Sequence, residues 1–339
     1  MADEYSGPLT VKLLEMGNSD IARIIAGLPD DAEIIATRMM DELVYRRKDY
    51  SRGIDICSRV FRSESLSSLR KAQLYIAMVN LARRMPLPDM EHIRQWLEEA
   101  WDVLAPMPLD TPAVRRSWVL MQYNMALVCR LRGDFEGEAE NHKQVATIAE
   151  DEFSRSNALY MAHFAEMLRY TTEGTVTDVM WQAFKRAGDA YRDMLDPRNP
   201  RDAQWIANDW GHRVQLAILL DYIGEDEWIT YGFDELVHLL SVGVPQSARY
   251  TADLIIAMTL FEYDNKAMVC WEAERIIADE VAGNECRMLA KLLAAHVICS
   301  VFPSSGAEKQ DALRAVINMP GVGICHAVRA VAERMLATC

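Results

Sequence analysis

Long apolar runs are missing from this chain of 339 residues: charge interrupts every hydrophobic stretch well short of the roughly 20 residues a membrane-spanning helix needs. Alternating runs of strand formers are missing as well. The apolar residues instead sit in Ala-, Leu-, Met- and Ile-rich stretches with charges between them, a composition that favours helix. The start, Met1-Ala2-Asp3-Glu4-Tyr5, lacks the basic residues and apolar core of a secretory signal. Among catalytic signatures there is no glycine-rich phosphate loop, no dinucleotide fingerprint, no nucleophile elbow, no Cys-x-x-Cys and no His-Glu-x-x-His. No cofactor, metal or catalytic residue is therefore assigned, and the chain is expected not to be an enzyme. Basic residues are in deficit, 36 Lys and Arg against 50 Asp and Glu, giving a net charge of −14. That sign repels phosphate backbones and anionic lipid. It disfavours nucleic acid and membrane as partners and suits a basic protein or peptide, although solubility alone also accounts for it.

What is present is half apolar, enough to fold. The seven cysteines are odd in number, and most lie within apolar helical stretches. They read as reduced core residues of a cytoplasmic protein rather than a disulfide framework, with Cys339 the exposed one. A pattern recurs roughly every 40 residues: a helix, a short polar turn, a returning helix and a break containing Pro, Gly or Ser. Turns are expected at Lys48-Asp49, Met85–Pro88, Gly133-Asp134, Glu173-Gly174, Gly224-Glu225, Asp264-Asn265 and Pro303–Gly306. They define seven antiparallel hairpins. Pro and Gly fall mostly between helices, where Pro starts or stops them and Gly supplies a left-handed cap. The division expected is a partly ordered N-terminal segment over 1–30, one continuous repeat domain over 31–320 and a C-terminal capping helix over 321–339, which could also serve self-association.

The third hairpin, Tyr123-Asn124-Met125-Ala126-Leu127-Val128-Cys129-Arg130-Leu131-Arg132-Gly133-Asp134-Phe135, resembles the first helix and turn of a tetratricopeptide repeat. Ala126 is small enough for close packing, Gly133 ends the helix, Asp134 caps the next one and Phe135 packs beneath it. The first hairpin echoes the turn at Asp49-Tyr50-Ser51-Arg52-Gly53-Ile54, with Gly53 as the small residue of the second helix. Ala77, Ala217 and Ala257 are weaker echoes. The units here run longer than the family's 34 residues, Glu138 stands where the second helix should carry alanine, and a HEAT-type array has a similar period. The resemblance implies an all-α, right-handed α-solenoid with a concave groove that holds a peptide or protein. Aligning the two matching turns places Arg38, Glu42, Tyr45, Tyr123, Leu127 and Arg130 on that groove. Glu42 and Leu127 stand where chaperone-tail clamps carry asparagine, which argues against acidic tails as ligands.

Other residues were weighed for chemistry. Trp205, Asp209, Trp210, His212 and Arg213 form the most unusual local cluster; they read as a ligand patch or as helix packing with Gly211 at a close crossing. His296 reads as a hydrogen-bonded core histidine. Cys325 and His326 point about 100° apart on a helix and cannot pair by themselves. Asp30-Asp31 reads as a helix start. Arg46-Arg47-Lys48, Arg83-Arg84 and Arg130 with Arg132 complement helix C-termini or form a stripe; Arg115-Arg116, at a helix start, has no such reason. Glu136, Glu138, Glu140, Glu225, Asp226 and Glu227 are expected on a solvated convex face. The function this supports is a scaffold or adaptor, with a ligand- or peptide-responsive sensor as the alternative and an all-α enzyme with a site near Trp205–Arg213 behind both.

Overall fold

The structure, a computed structural model, describes residues 15–27, 48–62, 66–85, 88–220, 228–241, 246–262, 266–301 and 306–339. Among these residues it is all-α. The chain divides into two compact units, Met1–Val128 with Thr147–Glu150 and Cys129–Ala146 with Asp151–Cys339, where the repeat pattern alone gave one continuous domain.

Unit 1 holds α1 (Asn18–Ala26), α2 (Tyr50–Val60), α3 (Ser68–Ala82), α4 (Met90–Leu104) and most of α5 (Pro112–Arg132). Polar side chains start these helices by accepting the free N–H groups of the first turn: Asp49 for α2, Ser67 for α3 and Asp89 for α4. The four helices α1 to α4 pack in chain order, each on the next. Helix α1 falls within the segment expected to be partly ordered. It is amphipathic, and Ile21, Ala22 and Ile25 are buried in a cluster with Ile56, Cys57 and Val60 of α2. Gly53 lies at a close helix contact, because a Cβ there would stand 2.8 Å from the Leu81 methyls. A second cluster joins α3 and α4 to Val114, Trp118 and Met121 of α5, with the Trp101 and Trp118 rings edge to face at 4.9 Å.

Unit 2 begins with the end of α5 and α6 (Phe135–Ile148), then α7 (Glu152–Glu173), α8 (Asp178–Arg192), α9 (Pro200–Leu220), α10 (Trp228–Ser241), α11 (Gln246–Glu262), α12 (Lys266–Ala278), α13 (Asn284–Val301), α14 (Gly306–Ile317) and α15 (Cys325–Thr338). Asp151 and Thr177 cap α7 and α8, and Gly174, at φ 74°, ends α7 in the left-handed conformation only glycine takes cheaply. Helices α7, α9, α11 and α13 pack in succession, while α8, α10 and α12 each bridge two of them. A helix that merely covered a free end would touch only the last hairpin. Helix α15 packs on α13 and α14, but also on α9 and α7, so the inner helices form a closed cycle. Two glycines make the closure possible. A Cβ on Gly133 (φ 76°) would lie 2.7 Å from His326 Cγ, and one on Gly174 would lie 3.3 Å from Arg334 Nε. Arg334 then donates to the carbonyls of Thr171 and Thr172 in the last turn of α7, where Thr171 also accepts from the Gly174 N–H.

Candidate functional site

Of the six groove residues, Arg38, Glu42 and Tyr45 lie outside the described residues, as do Asp30-Asp31, Arg46-Arg47 and the acids at 225–227. Tyr123 and Leu127 are half-buried on α5 in unit 1. Arg130, in the last turn of that helix, is committed within unit 2. Its Nε donates to Glu138 Oε1 at 2.7 Å, and an Nη reaches the same oxygen. Glu138 is 0% exposed, which corrects the expectation of a solvated face. The cause is its register: it shares the buried face of α6 with Phe135, Ala139, His142 and Val145, so the carboxylate is carried inward and must be paired. Burial pushes the Glu138 carboxyl up, but Arg130 and His142 more than offset this and hold it below the usual glutamate range. His142 Nε2 lies 3.8 Å from the same carboxylate.

Phe164 joins this pair to the second set of candidates. The Arg130 guanidinium lies over its ring at 5.2 Å, and His212 stacks on it at 4.1 Å. The Tyr160 hydroxyl stands 3.2 Å from His212 Nδ1 and 3.5 Å from the Asp209 carbonyl. Desolvation first, and then the Arg130 charge, hold His212 well below the usual histidine range, so the ring is neutral. Sequence thus proposed Arg130 and His212 for different sites, and the fold brings them to one aromatic ring. Tyr160, Phe164 and Glu138 were not singled out for it.

Asp209, Trp210 and Arg213 are all buried on α9 and satisfy one another and their neighbours. Arg213 Nε bonds Asp209 Oδ2 at 3.1 Å, and its Nη2 bonds Asp189 of α8 at 2.8 Å. Trp210 Nε1 donates to Glu235 of α10 at 2.8 Å, and Arg192 covers its ring at 4.6 Å while pairing with Glu235. The close crossing is made by partner glycines. A Cβ on Gly188 would meet Arg213 Nη2 at 2.7 Å and one on Gly232 would meet the Trp210 ring at 2.6 Å, whereas Gly211 has only an ordinary contact at 3.6 Å. Trp205, half-buried, lies edge to face with Phe153 at 6.4 Å. The cluster is therefore an interhelical network whose polar groups are spent on each other.

The remaining chemical candidates are equally committed. His296 Nε2 lies 3.1 Å from the Ile218 carbonyl. His326 Nε2 lies 3.4 Å from the Leu131 carbonyl and not on its neighbour Cys325, whose thiol is pushed up to about 12 chiefly by burial. All seven cysteines are free, and burial likewise raises Cys57 to about 12 and Cys286 to about 11, where little thiolate exists at neutral pH.

One surface of unit 2 is built differently. Helix α12 buries Val269, Ala273 and Ile276 against its neighbours, yet Met268 is 40% exposed and Trp271 55% exposed on its other side. Ala278, at the end of the helix, and Val281, 67% exposed in the turn after it, are exposed further along, with Glu274 and Arg275 between them and Trp271. Glu274 and Glu280 are exposed beside it. Sequence reading passed over this ridge. The available signal was apolar residues on both faces of one short helix, which a helix covered on one side only does not need.

Comparison with known proteins gives no match: no family model fits the chain, and no curated protein or solved structure is significantly similar to it.

Proposed function

We propose that this chain is a non-catalytic helical-repeat scaffold that binds a protein or peptide partner. The packing of hairpins in chain order, and the small residues at Gly53 and Ala126 where helices meet, support stacking of the tetratricopeptide-like, right-handed solenoid kind. The observation that carries the binding reading is the pair of exposed apolar side chains Met268 and Trp271 on α12, with Val281 exposed in the turn that follows. Grouped exposed apolar side chains mark interaction sites, and tryptophan is the residue most often found as a binding anchor. The flanking acids and the net charge of −14 select a partner that pairs an apolar anchor with basic side chains. The sensor reading rests on a separate feature, the arginine-lined cleft between α1 and α2. An enzyme with a site at Trp205–Arg213 has little, because Asp209, Trp210 and Arg213 are already engaged with one another and with Asp189 and Glu235.

Selection of displayed random peptides on the wild-type protein, with counter-selection on Trp271→Ser, tests this directly. The expected outcome is a family of peptides with an aromatic or aliphatic anchor and two or more Lys or Arg, whose binding weakens at least tenfold in Trp271→Ser and falls with salt. Peptides that bind the variant equally well, or no enrichment at all, would remove the ridge as the binding surface.

A further inference from the structure

Unit 1 contains a feature that the scaffold reading does not use. Between α1 and α2 lies an open cleft of about 490 Å³ lined by Ser19, Ala22, Arg23, Ala26, Gly27, Arg59 and Arg62. Its origin is local. Helix α1 turns Ser19, Ala22 and Ala26 toward the cleft, residues too short to fill it. The rim is then set by three arginines, in a chain whose overall charge is negative.

The three are held differently. Arg59 is fixed: its Nε donates to Asp55 Oδ2 at 2.8 Å and its Nη1 to Ser19 Oγ at 2.8 Å. Asn18 holds the same Asp55 oxygen at 2.7 Å, and the hydrogen bonds from Arg59 and Asn18 keep the Asp55 carboxyl below its usual range. Among the described residues Arg23 has an exposed pair with Asp20 at 3.4 Å, an interaction of little strength that a better acceptor would displace. Arg62, beyond the end of α2, has no ion pair among the described residues. None of the described residues that line the cleft is a carboxylate. One pre-positioned guanidinium flanked by two that can swing inward is an arrangement suited to a compact group of concentrated negative charge with several acceptor oxygens, which the planar donor fork of arginine meets two at a time. A single carboxylate offers two such oxygens and one charge; a phosphate monoester offers three and nearly two. The volume accommodates the group together with a small body and is within the range of small-molecule sites.

We propose that the cleft between α1 and α2 binds a small molecule carrying a phosphate monoester. The site is independent of the α12 ridge and gives the chain a place at which a metabolite could act on it.

Calorimetric titration of the full chain at low salt with ribose 5-phosphate, ribose, inorganic phosphate, citrate and a phosphoserine peptide distinguishes the sources. Saturable one-to-one binding of ribose 5-phosphate is expected, with inorganic phosphate weaker and ribose silent. Arg59→Gln and Arg62→Gln should each weaken it about tenfold, the effect of losing one charge-assisted contact. Circular dichroism and melting of each variant verify that it folds, and Arg314→Gln on unit 2 should bind as the wild type does. Equal binding by the cleft variants, citrate binding as tightly as ribose 5-phosphate, tighter binding of the phosphoserine peptide, or no heat with any phosphate would each overturn the proposal.

Discussion

Glu138→Gln is nearly isosteric, so it removes a charge while leaving the packing of α6 in place. In the wild type the carboxylate is fully buried and bonded by Arg130, whose own side chain is 17% exposed. After the substitution the guanidinium keeps its desolvation but loses the carboxylate bonded to it, with the Glu285 charge its remaining counter-charge. Removing one partner of a buried pair costs about 3–5 kcal/mol, far more than the pair's net contribution against an apolar replacement. For a folding unit of this size each kcal/mol lowers the melting temperature by about 2–4 °C, so a fall of about 6–20 °C is expected for unit 2 at pH 7. The sign of the pH dependence follows from the depressed carboxyl. Its stabilisation is present above the unfolded-state value of 4.5 and is lost as pH falls through the lower folded-state value, so the two proteins should converge in acid. The double variant Arg130→Met with Glu138→Leu should regain most of the loss, because the penalty lies in the orphaned charge. Differential scanning calorimetry of the three proteins decides the matter. A Glu138→Gln loss below about 1 kcal/mol, or a double variant no better than the single one, would show that water already solvates the pair and would refute the reasoning.

Other perturbations follow from the same interior. His142 is 2% exposed, and burial, opposed by Glu138, holds it below the usual histidine range. The unfolded chain takes up its proton first, so stability should fall below about pH 6.5 by up to about 1.4 kcal/mol per pH unit, read as a falling melting temperature between pH 7.5 and 5.5; a flat profile would contradict it. Gly133→Ala combines a left-handed backbone with a Cβ 2.7 Å from His326, and should cost about 2–3 kcal/mol by denaturant titration, whereas Gly283→Ala, with nothing within 4 Å, should be nearly silent.

How much of this was legible in the sequence depended on the range of the cause. The turns at Gly133 and Gly174 and the helix starts after Asp49, Ser67 and Asp151 are set by a few neighbouring residues, and they stand where local chemistry put them. Glu138 was misread because a lone acid on a helix is usually solvated. Its burial is decided by Arg130 eight residues earlier and by the helices that close over both. Sequence offered both packing and a ligand patch at Trp210 and Arg213 and could not place the close crossing, because the glycines that admit them, Gly232 and Gly188, are on other helices and more than 20 residues away in the chain. The cleft in unit 1 was missed for the opposite reason. Ser19, Ala22 and Ala26 look unremarkable until α2 is laid beside them with Arg59 and Arg62.

The contact between α15 and α7 has no local signal at all, since it joins Arg334 to carbonyls 162 and 163 residues away. It changes what kind of object unit 2 is. In an open repeat array each hairpin touches only its neighbours, so the ends open first and protection rises toward the middle. A closed cycle removes the free end: opening α15 also uncovers α7 and α9 and takes the Arg334 donor from the Thr171 and Thr172 carbonyls. Native-state hydrogen exchange should therefore show α15 protected about as strongly as α9 and α11, despite its place in the sequence. Arg334→Ala should lower protection together in α15 and in the last turn of α7, with little change in α12. A graded profile, with α15 exchanging hundreds of times faster than α9 in the wild type, would mean that the cycle is not closed in solution.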